Sequence, residues 1–158
     1  MDRFDWSILA QLEKDGRQPF STIADKVGLS KTPCWTRVQN MEQAGIIKGY
    51  RAVLDQRALG LRLVAFCEVT VNFAKHAAFE KAVEAHPSVL ECFTTAGQAD
   101  YLLQVVTRDV ETLDTLLREE LSQLPGVQRF STIVCLKRIK DGGAITDAAA
   151  SLPPASGG

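Results

Sequence analysis

The 158-residue chain has little of what builds covalent or metal-stapled frameworks: four cysteines and two histidines. Cys34, Cys67, Cys92 and Cys135 form no C-x-x-C pair, and only His76 and His86 stand by to complete a ligand set. A zinc site and a disulfide scaffold are therefore not expected; the thiols read as four small buried hydrophobes. Long apolar runs are also missing. The N-terminal stretch MDRFDWSILAQLEKDGR is charged throughout, which argues against a signal peptide or membrane span and makes the cytoplasm the expected compartment. Neither histidine has a Cys, Ser or acid beside it in a nucleophile–base pattern, and no Walker, G-x-G-x-x-G or H-E-x-x-H motif occurs. The expectation is no enzyme, no cofactor and no metal.

Nor is there a charge excess of either sign: 18 Lys and Arg face 19 Asp and Glu. The distribution is uneven, however. Residues 1–51 hold eight basic and six acidic side chains, a net of +2, leaving −3 for the remainder. That permits a nucleic-acid partner for the N-terminal third without requiring one. With 46% hydrophobic and 23% charged residues the composition is that of a folding chain.

Helical spacing of Phe4, Ile8, Leu9 and Leu12 predicts a first helix over 4–14, ended by Asp15-Gly16. Ile23, Ala24 and Val27 repeat the pattern over 21–27, with Ser21 as the expected N-cap. Gly28-Leu29-Ser30 is a short turn, Ser30 caps a third helix, and Pro33 falls in its first turn, where a missing N–H is harmless. Gly45 closes that helix. Three helices with a glycine turn between the second and third are the layout of a helix-turn-helix. Residues 46–54 read as a small hairpin or strand, a wing, leaving this domain (1–54), and 55–62 as a linker.

From residue 63 the period becomes two: Cys67, Val69, Val71 and Phe73 alternate with polar residues in a strand over 63–73. A helix follows over 75–86. Two strands, 89–96 and 101–108, are joined by Gly97-Gln98-Ala99-Asp100. Asp109 caps a helix with Val110, Leu113, Leu117, Leu121 and Leu124 on one stripe, and a last strand runs over 128–139. The chain thus reads as α+β: an N-terminal three-helix, winged helix-turn-helix domain and a C-terminal ferredoxin-like βαββαβ domain over 63–140. Phe66, Phe93, Leu103, Val105 and Ile133 are too many apolar residues for a half-wet sheet, so a dimer is expected. Residues 141–158 read as a structureless tail.

The third helix carries the functional signal. At about 100° per residue, Cys34, Val38 and Met41 share one side while Thr32, Thr36, Gln39, Asn40 and Gln43 share the other. The latter face is rich in hydrogen-bonding groups and free of carboxylates, which suits base edges in a major groove. Thr32, Trp35, Thr36, Gln39 and Asn40 are the candidate base readers. Lys31, Arg37, Lys48 and Arg51 are candidate phosphate contacts, with an alternative for Arg37: pairing with an acid of the first helix. The rival reading is a ferredoxin-like metabolite-binding module whose N-terminal helices mediate protein association.

The strings LEKDGR, VGLSKTPCWTRVQNMEQAGIIKGYRAVLD, AGQADYLLQVV and LPGV resemble the leucine-responsive/asparagine (Lrp/AsnC) regulators over about residues 2–140, with Met41 where the family commonly has Leu. The resemblance implies a DNA-binding transcription regulator, dimers joined through C-terminal sheets, octamers or larger discs, and an amino-acid effector bound between dimers. The effector residues it implies are Gly97, Gln98, Asp100, Tyr101 and Leu102, with the facing strand around Thr132. Gly97 leaves backbone N–H groups open to an α-carboxylate and Asp100 can accept from an α-ammonium. Gly and Asp are also what any hairpin turn uses.

Overall fold

Asp2 opens the first helix by accepting the amides of Phe4 and Asp5, while the Asp5 carboxylate accepts the Asp2 amide in return. This reciprocal box satisfies donors that a helix start leaves orphaned. The computed structural model describes residues 1–152, arranged as two compact units: residues 1–53 with the described residues from 139 on, and Leu54–Arg138.

The first unit contains α1 (Arg3–Lys14), α2 (Phe20–Val27) and α3 (Lys31–Gln43). Ile8, Ile23, Ala24, Cys34, Val38 and Met41 form its core, the residues the 3.6 period placed inward. Gly28 ends α2 with φ 74°, the left-handed conformation that glycine adopts without strain. Two capping expectations fail. α2 starts one residue before Ser21, after Pro19, whose fixed φ opens the helix without a side-chain bond, and Ser30 occupies the N-cap position of α3 without making the side-chain bond. The wing expected over 46–54 is not a strand. Val53 is 96% and Leu54 65% exposed; a strand needs a partner to take its backbone groups, and among the described residues of this unit no segment runs beside it as one.

Residues 141–158, expected to be structureless, include a further helix, α6 (Ile145–Ala150); residues 153–158 of that expected tail lie outside the described residues. Glu13 of α1 accepts the Ile145 and Thr146 amides and the Thr146 hydroxyl, docking α6 on α1. Burial works to raise the Glu13 pKa, but the Thr146 and Ile145 hydrogen bonds outweigh it and hold the carboxyl below its ordinary value. The sequence conceals this helix, because its nucleus depends on an acceptor 132 residues away.

The second unit is a four-stranded antiparallel sheet in the order β2-β3-β1-β4, with β1 at Leu63–Val71, β2 at Val89–Thr94, β3 at Tyr101–Thr107 and β4 at Val127–Val134. Helices α4 (His76–Glu84) and α5 (Val110–Thr115) complete the βαββαβ order. Ala65, Cys67, Val69, Leu103 and Val105 are fully buried together with Phe79 of α4 and Leu113, Leu116 and Leu121 of the second helical segment. Phe73 departs from the expected alternation: it leaves the strand for a short 3-10 turn and is 86% exposed.

The stripe expected after Asp109 also shifts. Asp109 does cap the helix, accepting from the Thr112 amide and hydroxyl. Val110, however, is exposed, and Leu116 is buried instead. A π turn over Leu116–Glu120, closed by the Leu121 amide on the Leu116 carbonyl, inserts the extra residue that brings both leucines onto the sheet.

The other sheet face is set by register. Phe66 pairs with Gln104 and Ile133, and Phe93 pairs with Leu102, so Phe66, Phe93, Leu102 and Ile133 share the side away from the buried Cys67 and Leu103. Of the five apolar residues expected to demand cover, Leu103 and Val105 are met by the helices. Phe93 at 51% and Ile133 at 54% exposure are not.

Candidate nucleic-acid interface and effector site

α3 is amphipathic in an unusual way, because its inner side is small and sulfur-rich while its outer side is dominated by hydroxyls and amides. Cys34 and Val38 are fully buried and Met41 nearly so, and burial pushes the Cys34 thiol pKa up. Lys31, Thr32, Thr36 and Asn40 are exposed and Trp35 is 48% exposed. Thr32, Thr36 and Asn40, with Arg37, Met1 and Asp5, line an open hollow of about 650 Å³. The Thr36 hydroxyl donates to the Thr32 carbonyl at 3.0 Å, so its methyl and remaining lone pairs are what it turns outward.

Two of the candidate residues are engaged within the unit. Arg37 Nη1 pairs with Asp5 Oδ1 at 2.7 Å and with Asp2 Oδ2 at 2.8 Å. Its guanidinium also lies over the Phe4 ring, 5.5 Å from the centroid. The alternative reading therefore holds for Arg37: it ties α3 to the start of α1, and the Asp5 and Asp2 bonds raise its own pKa. Gln39 is half-buried and donates to Glu42 Oε2 at 2.7 Å. Lys48 and Arg51 are exposed beyond the helix, and no described residue pairs with them, nor with Lys31. Sequence reasoning missed Glu42, whose other oxygen accepts from the Tyr50 hydroxyl at 2.9 Å. Burial, then Glu42, pushes the Tyr50 pKa up to about 12. The i to i+3 spacing of Gln39 and Glu42 was the available signal.

At the β2–β3 connection, Thr95 clips the loop with its hydroxyl on the Ala99 carbonyl at 2.6 Å, and its amide bonds the Asp100 carbonyl. The Asp100 carboxylate accepts the Val71 amide at 2.8 Å while its amide donates to the Val69 carbonyl. Asp100 thus stitches the loop to the end of β1. A Cβ added to Gly97 would meet nothing within 4 Å, so packing does not explain a glycine there. Arg129 of β4 donates to the Gln98 carbonyl at 3.4 Å, bringing a cation to the loop that sequence reasoning missed.

Gly97, Gln98 and Asp100 are therefore together, whereas the other candidates diverge. Tyr101 is buried, its ring 4.7 Å from Phe79 and its hydroxyl on Glu80 Oε1 at 2.8 Å. Burial, then Glu80, pushes its pKa up to about 12. It fronts a hollow of about 430 Å³ between α4 and β2, which Glu84, Glu91 and Cys92 also line. Leu102 lies on the open sheet face. Thr132 turns the opposite way, its hydroxyl 3.8 Å from Cys67 Sγ. Cys92 is exposed and Cys135 half-buried, so only two of the four thiols behave as buried hydrophobes. Among the described residues no cluster of His, Cys, Asp or Glu has the makings of a metal site, and no helix is long and apolar enough to cross a membrane.

The Lrp/AsnC ligand binding domain profile matches residues 64–145, and a winged helix-turn-helix DNA-binding profile matches residues 1–48. The chain belongs to the Lrp/AsnC family. Its members are transcription regulators rather than enzymes, with the two-domain α+β architecture found here, which sets aside the rival reading of the helices as a protein-association device. Similar proteins include the proline dehydrogenase transcriptional activator of Rhizobium radiobacter, 40% identical over 90% of this chain and 94% of that one. The leucine-responsive regulatory protein of Rhizobium meliloti is 37% identical over 89% and 92%. Among solved structures, a transcriptional regulator of Neisseria meningitidis in complex with L-Met superposes with a TM-score of 0.89 at 32% identity, covering 92% of this chain and 96% of that one. An AsnC family regulator from Agrobacterium tumefaciens gives 0.84 at 31%, covering 89% and 94%.

Proposed function

We propose that this Lrp/AsnC regulator reads operator DNA with Thr32, Trp35, Thr36, Gln39 and Asn40 of α3. Lys31, Lys48 and Arg51 neutralise phosphates, and Arg37 positions the helix rather than contacting DNA. The carrying observation is the outer face of α3, where hydroxyls, amides and an indole stand uncovered beside free cations. Base edges specify and phosphates position. The regulator works in the cytoplasm, as a dimer closed through the open sheet faces and as octamers or larger rings built from dimers.

Its effector is an amino acid held at the Gly97–Asp100 loop between copies of the sheet unit, a reading supported by relatives named for a response to leucine and a complex with L-Met. The loop amides around Gly97 and the Arg129 guanidinium suit an α-carboxylate, and the second Asp100 oxygen suits an α-ammonium. Tyr101 and Thr132 face the helix-covered side of the sheet, away from the loop's open surface, and do not touch the ligand.

A gel-shift series on the DNA upstream of the regulator's own coding sequence tests the first half. Salt-sensitive retardation of at least one fragment is expected, and its absence from every fragment refutes it. A thermal-shift screen against the twenty amino acids tests the second, because a ligand that binds only the native state raises Tm. Asp100→Asn keeps the acceptor for Val71 and should weaken the hit at least fivefold in calorimetry; equal affinity removes Asp100 from the site.

A further inference from the structure

The Gln39 amide is clamped. Its Nε2 faces Glu42 Oε2 at 2.7 Å, and Glu42 Oε1 is held by the Tyr50 hydroxyl at 2.9 Å. Tyr50 is placed in turn by the end of α1, where its ring lies so close to Gly16 that an added Cβ would meet Cδ1 at 3.1 Å. A carboxylate only accepts, so an amide facing it must offer its NH2 and turn its carbonyl oxygen away. No described residue donates to Gln39 Oε1. An unclamped glutamine could rotate its terminal torsion by half a turn at little cost, offering either end.

We propose that Glu42, anchored by Tyr50, fixes Gln39 with its acceptor outward, so that Gln39 selects a base presenting an exocyclic amine in the major groove, adenine N6 or cytosine N4, against guanine or thymine. The latter present oxygens at those positions, which a carbonyl oxygen repels. Gln39 is the reader; Glu42 and Tyr50 are positioning residues. The inference rests on α3 as the recognition helix and adds to it the base class read by one side chain and the device that sets it.

The test is selection from a randomised duplex library with the full-length chain, comparing wild type, Gln39→Ala, Glu42→Gln and Tyr50→Phe. Wild type should show one position per half-site where A or C exceeds G or T about tenfold. Gln39→Ala should level that position to within twofold and leave the others unchanged. In Glu42→Gln the new carboxamide donates as well as accepts, and the Tyr50 hydroxyl can do either, so both orientations of Gln39 are satisfied. The preference should fall below threefold while affinity for random DNA is kept or rises slightly, one carboxylate having been neutralised. Tyr50→Phe should fall between.

A tenfold preference that survives Glu42→Gln, or a profile that Gln39→Ala leaves untouched, overturns the inference while leaving the regulator reading intact. A lowered Tm with an unchanged base profile assigns Glu42 a structural role and overturns it equally. A wild type that enriches no sequence overturns both.

Discussion

Replacing Phe93 by alanine tests whether the open sheet face is the surface on which two copies close. Phe93 is 51% exposed in the single chain, on the same face as Phe66, Leu102 and Ile133. A phenylalanine side chain offers roughly 200 Å², so about 100 Å² is left to bury, equivalent to roughly 2.5 kcal/mol at about 25 cal/mol per Å². Alanine keeps about a third of that, so the loss is about 1.5 kcal/mol per protomer. A twofold interface uses the same patch twice; the dimer therefore loses about 3 kcal/mol, or roughly a hundredfold in dissociation constant. Sedimentation velocity over a dilution series from micromolar to low nanomolar reads this directly, with Tm as the control for folding. Unchanged association of Phe93→Ala across the series would refute the assignment of this face.

The remaining expectations are local. Gly28→Ala and Gly126→Ala both force alanine to a positive φ, but only at Gly126 would the new Cβ sit 2.7 Å from Lys75 Cβ. Chemical denaturation should therefore show a loss of about 1 kcal/mol at Gly28 and at least twice that at Gly126; equal losses would contradict the steric argument. Leu103→Ala empties a fully buried site beneath β3 and should cost about 3 kcal/mol in the same assay, a loss under 1 kcal/mol being inconsistent with the packing described. Because the Glu13 carboxyl is held below its ordinary value of 4.5, its contribution to docking α6 is present above that pH and lost as pH falls through the lowered value. The Ile145 and Thr146 amide resonances should accordingly shift on acidification below pH 4.5 and in Glu13→Ala at neutral pH; resonances unmoved by either would detach α6 from Glu13.

What the chain reveals unaided, and what it hides, follows from the range of the interactions. The inward face of α3 was legible because Cys34, Val38 and Met41 repeat with the helix period, and Gly28, Pro33 and Gly45 punctuate it. The βαββαβ succession of elements was legible from alternation and turn chemistry. The π turn was not, because Leu113, Leu117, Leu121 and Leu124 fit an ordinary helix and only packing chooses Leu116. The wing misled because residues 46–54 have strand-like composition and no strand partner in their unit. Arg37 shows the limit at the site. Its angle on the helix allowed a phosphate or an acid, and the choice depended on carboxylates 32 and 35 residues away, at Asp5 and Asp2. Tyr101 and Thr132 entered the effector set through the family resemblance, yet the pleat turns both to the helix-covered side of the sheet.

The most direct measurement is fluorescence anisotropy of a bound operator fragment competed by random duplex, for wild type and for the combined Thr32→Ala, Thr36→Ala and Asn40→Ala variant. If α3 reads bases while separate cations hold phosphates, the triple variant's preference for operator over random DNA falls to near one and its salt slope stays that of wild type. A triple variant that still prefers its operator as strongly as wild type would contradict the account at its centre.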